Sequence, residues 1–405
     1  MVQKIQSRKL IWWITTILFS SFFIFYAYSF GSVVIAGEAL VLLFVKTISA
    51  RGKVNLCWTK LHSYLLAFAL FCLASSLWAG YRSNAITMGI TILEIFVCIA
   101  ILLVHYYHFD STDSILKSIM WGAIIVEIYT CFSFGLRNVI QYAVDGIRLP
   151  STFLNSNTVG MLAAFSAIII FYYFVNDGFR IWNLFIVLSI TMVAVSMSRK
   201  AFVFLVVGIS LMLLLVTKDV VNQRGGFVKM LLIVVLIISV AYYASSVSMF
   251  GSVFTRMEGV LSFLRGGEGD KSTMVRNQII RTGMEYFRSH PLLGIGMDNA
   301  RFTNVERIYL HNNYAELLTD GGVVGLLVYY SIYIYSGAIL FKYRKNRDRE
   351  YSIVFVILVL SLMMDFGMVS YYSKETYFYV LLIFLYTEKL KNKSISCTGT
   401  VDREY

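Results

Sequence analysis

Apolar runs of bilayer length recur from one end of this chain to the other, and nothing else in the sequence constrains the fold as tightly. A backbone in hydrocarbon has no water to satisfy its N–H and C=O groups. Each run of about 20 apolar residues therefore reads as a membrane-spanning helix. Composition agrees: 58% of the 405 residues are hydrophobic and 14% charged, where a soluble domain carries about 25% charged residues. The runs lie at 10–30, 32–48, 61–79, 85–105, 114–134, 157–175, 180–197, 200–217, 227–247, 323–341, 351–368 and 376–388. They predict an all-α polytopic membrane protein of about 12 transmembrane helices, with residues 1–405 forming a single integral membrane domain. The first run follows a basic start, but it is too long for a signal-peptide core and lacks a small-x-small cleavage site, so it counts as a span.

Basic residues set the orientation. With the N-terminus in the cytoplasm, an even number of spans returns the C-terminus there and leaves the short outer loops poor in Lys and Arg. Eight of the outer cations lie in one long extracytoplasmic loop, 248–322, between spans 9 and 10, and long loops weigh little in this rule. The net charge of +12 then reflects topology and contact with anionic lipid, not nucleic acid. The densest basic run, "FKYRKNRDREY" (341–351), reads as a cytoplasmic anchor at the membrane surface. Five cysteines are scattered without spacing and suggest neither disulfides nor a metal site. No internal repeat is apparent, which weakens the case for a transporter built from symmetric halves.

Four outer segments are polar where a simple connector need not be. "SMSRKAF" (196–202) sets Arg199 and Lys200 at the outer end of two helices. They are either a snorkelling pair or cations meeting an anion, for which a guanidinium fork suits phosphate oxygens. The stretch 272–290 reads as an amphipathic helix. Val275, Ile279, Ile280, Tyr286 and Phe287 share one face, with Arg281 and Arg288 on another. Arg276 projects into the apolar arc, where it needs either a salt-bridge partner or a bound anion. "HPLLGIGMDNARF" (290–302) carries Pro291, a fixed turn, with Gly294 and Gly296, which allow close backbone approach. "HNNYAELLTDGGVVGLLVYY" (311–330) opens with His311 at the lip of an apolar helix that Asn312 can cap. His311 and Gly322 are eleven residues apart, so they share a stripe if the helix continues. The positive end of the helix dipole favours a neutral imidazole there, the form a general base needs. A histidine merely hydrogen-bonded at the interface is the plainer reading. The intramembrane acids Glu94, Glu127 and Asp365 are either functional groups or structural pairs.

Together these segments resemble the O-antigen ligase and polymerase superfamily. "RNQIIRTGMEYFRSHPLLGIG" is similar to its leading arginine, amphipathic helix and PxxGxG pattern, with Arg276 at that arginine. "HNNYAELLTDGGVVGLL" resembles its histidine and acidic-Gly-Gly block with the H-x10-G spacing. "SMSRKAF" resembles its hairpin, and "RLPSTFLNSNTVGMLAA" (148–164) a further loop-to-helix block. Val203 stands where ligases often carry leucine, four positions after the hairpin arginine.

The resemblance implies a GT-C-like glycosyltransferase in the bacterial plasma membrane, with both termini cytoplasmic and the active site outside. Its donor and acceptor would be glycan repeat units on undecaprenyl diphosphate, polymerised into O-antigen, capsule or exopolysaccharide. It gives His311 the role of base, and Arg276 and Arg199 that of stabilising the leaving diphosphate, with Lys200 and Arg281 beside them. Asn312, Gly322, Gly294, Gly296 and Pro291 would position these groups. No cofactor and no metal are expected, and displacement would invert the anomeric centre. Membrane lipids, a flippase and a chain-length regulator are the expected partners. A ligase passing glycan to lipid A core is the nearest alternative, and a lipid-linked oligosaccharide flippase the alternative of another class.

Overall fold

The computed structural model of the chain describes residues 2–25, 28, 30–49, 57–107, 112–151, 154–220 and 271–397. Among the described residues every regular element is helical. The α-helices are α1 Val2–Ile24, α2 Gly31–Ser49, α3 Lys60–Ala74, α4 Arg82–Tyr106, α5 Thr112–Phe134, α6 Leu136–Asp145 and α7 Ser156–Asp177. After them come α8 Phe185–Ser196, α9 Arg199–Val220, α10 Lys271–Ser289, α11 Asn313–Lys342, α12 Glu350–Met364 and α13 Thr376–Cys397. Among the described residues five stretches are long and apolar enough to cross a membrane: Lys60–Leu77, Arg82–Tyr106, Thr112–Phe134, Ser156–Asp177 and Asn313–Lys342. Gly31–Val45, Ile181–Ser196 and Glu350–Met364 are shorter apolar helices. The expected span 227–247 lies outside the described residues.

The chain divides into two compact units. One holds residues 1–11, 36–115 and 271–405; the other holds 12–35 and 116–270. In the first, α3 packs on α4 and α11, and α11 packs in turn on α10, α12 and α13. Its core is aromatic. Phe68 of α3 lies 5.4 Å from the Tyr329 ring of α11 and 6.2 Å from that of Tyr371, and Tyr377, Phe378, Phe384 and Tyr386 of α13 are fully buried.

In the second unit α7 packs against both α8 and α9. It is apolar on every side, as a helix enclosed by others must be, and an unbroken run from Val159 to Ile170 is buried. Glu127 is explained here. The Ser189 hydroxyl of α8 lies 2.9 and 3.1 Å from its carboxylate oxygens and 3.1 Å from Ser166 of α7, so the acid links three helices through two hydroxyls. In the first unit Glu94 meets Lys374 at 3.4 Å, half-exposed, a pair worth at most about 1 kcal/mol.

Candidate functional site

The polar block at the start of α11 is built around a break. Gly322 has φ 62° and ψ −163°, so the helical path stops and resumes within Asn313–Lys342. In an uninterrupted helix the Val323 and Val324 amides would donate to the carbonyls of Thr319 and Asp320. Here they donate to Pro291 and Leu292, at 2.9 and 3.1 Å. The two carbonyls so released accept from Ile295 and Gly296 instead, at 3.0 and 2.9 Å. Residues 291–296 are thus spliced into the helix, and each backbone group freed by the break finds a partner, as burial demands. Gly294, also at positive φ, sits where a Cβ would fall on the Asp320 carbonyl; a Cβ at Gly322 would fall on that of Leu292. Gly296 rests directly on Ala79.

The break overturns the expected continuous stripe from His311 to Gly322. The helix starts at Asn313, Gly322 leaves its path, and His311 precedes the cap in the left-handed region at φ 59°. Asn312 is the cap, its side-chain oxygen accepting the Ala315 amide at 3.0 Å. The residues around His311 are fastened. The Leu310 amide donates to Glu316 Oε2 at 2.6 Å. The Asn313 amide donates to the Asp365 carbonyl at 2.7 Å, and its side-chain oxygen accepts the amides of Ser370 and Tyr371 at 3.0 and 3.1 Å. Asp365 anchors the same network, accepting from the Tyr330 hydroxyl at 2.6 Å and from Ser370. His311 itself is half-buried, its ring 4.3 Å from that of Tyr309.

Asp320 has a structural task. Its carboxylate accepts the amides of Asp298, Asn299 and Ala300 at 3.0, 2.9 and 2.5 Å, together with the Tyr371 hydroxyl at 3.2 Å. It thereby caps the short 3-10 turn Ala300–Phe302. The bend between α3 and α4 grips this loop from its other side. Trp78 Nε1 donates to the Leu293 carbonyl, Ser75 Oγ accepts the Met297 amide, and Asn299 Oδ1 accepts the Tyr81 amide. Asn84 donates to Asp298 at 3.0 Å, and Arg301 pairs with the same carboxylate. Burial pushes the Asp298 carboxyl up, against the Asn84 amide and the Arg301 charge. Burial alone would pull the Arg301 guanidinium down, but Asp298 outweighs it and the net shift is upward.

The expected helix 272–290 is α10, and its packing face differs in part. Ile279 is buried with Ala300, Leu310 and Ala315, and Val275, Ile280 and Met284 pack around them. Tyr286, expected on that face, is exposed. The closest approach to α11 falls at Gly283, where a Cβ would press on Leu310 and Thr319. Arg276 is half-buried and Arg281 exposed.

In the second unit "SMSRKAF" is a tight turn between helices. Met197 takes φ 47° to end α8, and Ser198 Oγ accepts the Ala201 amide at 3.4 Å. Arg199 and Lys200, both half-buried, are the first two residues of α9. Arg148 ties this turn to α7, donating to the Ser196 carbonyl at 3.3 Å and to Asn157 Oδ1 at 3.2 Å. A Cβ at Gly160 would strike Ser196 and Ala201, so α7 runs directly under the hairpin.

These two arrangements fall largely within one recognisable segment: residues 184–330 match the family model Wzy_C, described as O-antigen ligase. The segment belongs to the O-antigen ligase/polymerase superfamily. No curated protein matches the chain. Proteins of this family are membrane glycosyltransferase-like enzymes of ligase/polymerase type, and the match together with the apolar helices indicates an integral membrane protein. Within the superfamily segment, sequence reasoning had passed over Asp298, Arg301 and Glu316, and had met Asp320 only as the acid of the acidic-Gly-Gly block. The last two carried a signal, being acids one turn apart on an apolar helix, which burial makes costly unless each has a task. Arg148 and the bend 75–84 lie outside the matched segment, and their roles appear only in three dimensions.

Proposed function

We propose that the protein polymerises polyprenyl-diphosphate-linked oligosaccharide repeat units at the outer face of the bacterial plasma membrane. The observation that carries this reading is the presentation of His311. A half-buried imidazole stands in a strained backbone conformation just before a capped helix, between two residues that are fixed on either side. Strain of this kind persists where the surroundings impose it, and it concentrates at working sites.

In the proposed reaction His311 accepts the proton of an acceptor sugar hydroxyl as that oxygen attacks the donor's anomeric carbon. The bond to the lipid diphosphate breaks, and the electron pair leaves with the phosphate oxygen. The cations proposed for that diphosphate are the ones the resemblance assigns to it, Arg276, Arg199, Lys200 and Arg281. Displacement in a single step inverts the anomeric centre. Diphosphate is a good leaving group, so the mechanism requires neither a general acid nor a divalent ion. A ligase of the same superfamily is the second reading, differing in acceptor; Val203 in place of leucine favours the polymerase.

Purified protein in lipid, given one lipid-diphosphate repeat unit as its sole glycan, is expected to build a ladder of multimers that survives EDTA. His311→Ala and Arg276→Ala are each expected to lower the rate by about a hundredfold or more. Folded, inactive wild-type protein under these conditions would turn the assignment to the ligase. Repeat units crossing the bilayer unchanged would turn it to a flippase, and full activity in His311→Ala would remove the base.

A further inference from the structure

The helix α6 falls between the expected spans, and its surroundings say what it does. It has 10 residues, about 15 Å of helix, half of what a bilayer core requires. It starts one residue after α5 ends, across Gly135 at φ 81°, and Asn138 of its first turn donates to the Phe134 carbonyl at 2.8 Å. After it the chain passes through Arg148 to the start of α7 at Ser156. Both α5 and α7 are long and apolar enough to cross a membrane. α6 therefore connects the ends of two spans at a single membrane boundary.

Its circumference is divided three ways. Val139 and Ala143 are buried, and α6 packs against α8. Leu136 and Ile140, followed by Ile147 just past the helix, are 62%, 52% and 48% exposed. Arg137, Asn138, Gln141 and Asp145 are also exposed and occupy the remaining arc, Gln141 donating to Asp145 at 2.8 Å. In the last turn of α5, Phe132 is 82% exposed. Phe132 is four residues before Leu136 and belongs to a helix long and apolar enough to cross a membrane.

We infer that α6 is an interfacial helix, lying in the plane of the bilayer surface with Leu136, Ile140 and Ile147 among the upper acyl chains and its polar arc in water. A helix with one apolar and one polar face seats itself at this depth. Its occupant is lipid, not a protein groove, because the exposed apolar residues begin one residue after a membrane-length helix whose own last turn exposes Phe132. Arg137 and Asp145 offset each other, so the seat is apolar and does not depend on anionic headgroups. One consequence reaches the hairpin. α6 ends within three residues of Arg148, which holds the Ser196 carbonyl, so the depth of α6 in the membrane sets the anchorage of the turn that carries Arg199.

The test uses full-length protein in phosphatidylcholine nanodiscs, with an environment-sensitive fluorophore on Ile140→Cys or Gln141→Cys. Exposed Cys57 is replaced by serine, and the signal of the otherwise unsubstituted protein is subtracted. At position 140 a nitroxide near the head of the lipid acyl chain is expected to quench about twofold or more, with little quenching by iodide. Position 141 is expected to show the reverse. Equal quenching by iodide at both positions would place these apolar residues in water and end the proposal. Protection of position 140 from both quenchers would mean a protein covers it, and would also end the proposal.

Discussion

His311 occupies a backbone conformation that costs an ordinary residue about 1–2 kcal/mol, and its neighbours supply the restraint. Glu316 holds the amide before it, Asn312 caps the helix after it, and Asn313 is locked to Asp365, Ser370 and Tyr371. The three acids near this stretch do different work. Asp320 and Asp365 are saturated by donors, whereas Glu316 Oε1 is buried with no hydrogen-bond partner among the described residues. Asp298, in the loop, gives a test by pH. Burial raises its carboxyl above the ordinary value, so the folded state binds the proton more tightly than the unfolded chain does. Its contribution to stability is then greatest below the ordinary aspartate pKa of about 3.9 and declines as pH rises through the raised value. The melting temperature of Asp298→Asn relative to wild type is expected to move in the variant's favour between about pH 4 and pH 7. A gap that stays constant with pH would show that this carboxyl is ordinary.

Among the elements, the spliced helix makes opposite predictions for two glycines of α11. Gly322→Ala forces a Cβ into a conformation open essentially to glycine and onto the Leu292 carbonyl, at a cost of about 3 kcal/mol or more. At Gly337 the nearest atom to an added Cβ is Leu358 Cδ2 at 3.8 Å, so Gly337→Ala is expected to be neutral or to stabilise by up to about 1 kcal/mol. Thermal unfolding in detergent separates the two, and equal melting temperatures would contradict the splice. The elements also differ in how far the sequence revealed them. Periodicity located α10 and the start of α11, because a helix writes its own spacing into the chain. The splice pairs residues 291–296 with 319–324, and no local period reports a partner so remote. The glycines and Pro291 were legible as unusual, but not as two halves of one joint. α6 was passed over for another reason. A search for runs of about 20 apolar residues cannot detect a 10-residue helix that is half polar, although Leu136, Ile140 and Val144 keep the helical interval.

At the scale of the whole molecule, the basic residues and the apolar runs make a single topological statement. Alkaline phosphatase fused after Ser289 is expected to be active, and the same reporter fused after Arg349 inactive, since the two points lie on opposite sides of α11. Activity in the reverse pattern would invert the orientation proposed for every polar segment. Composition gave the class of molecule, because 58% hydrophobic residues leave a chain of this length few places other than a membrane. It gave no account of how residues 271–397 assemble with 57–107, since those contacts rest on single amides and side chains such as Tyr81 with Asn299 and Asn84 with Asp298. The splice also bears on how the protein is made. Backbone in lipid must have its polar groups satisfied, and α11 does not satisfy its own, because its turn at 319–324 borrows from residues 291–296. Synthesis delivers the lending strand before the borrowing helix. The nascent chain must therefore keep residues 291–296 within reach until Val324 arrives, and biogenesis of this half of the protein waits on a loop.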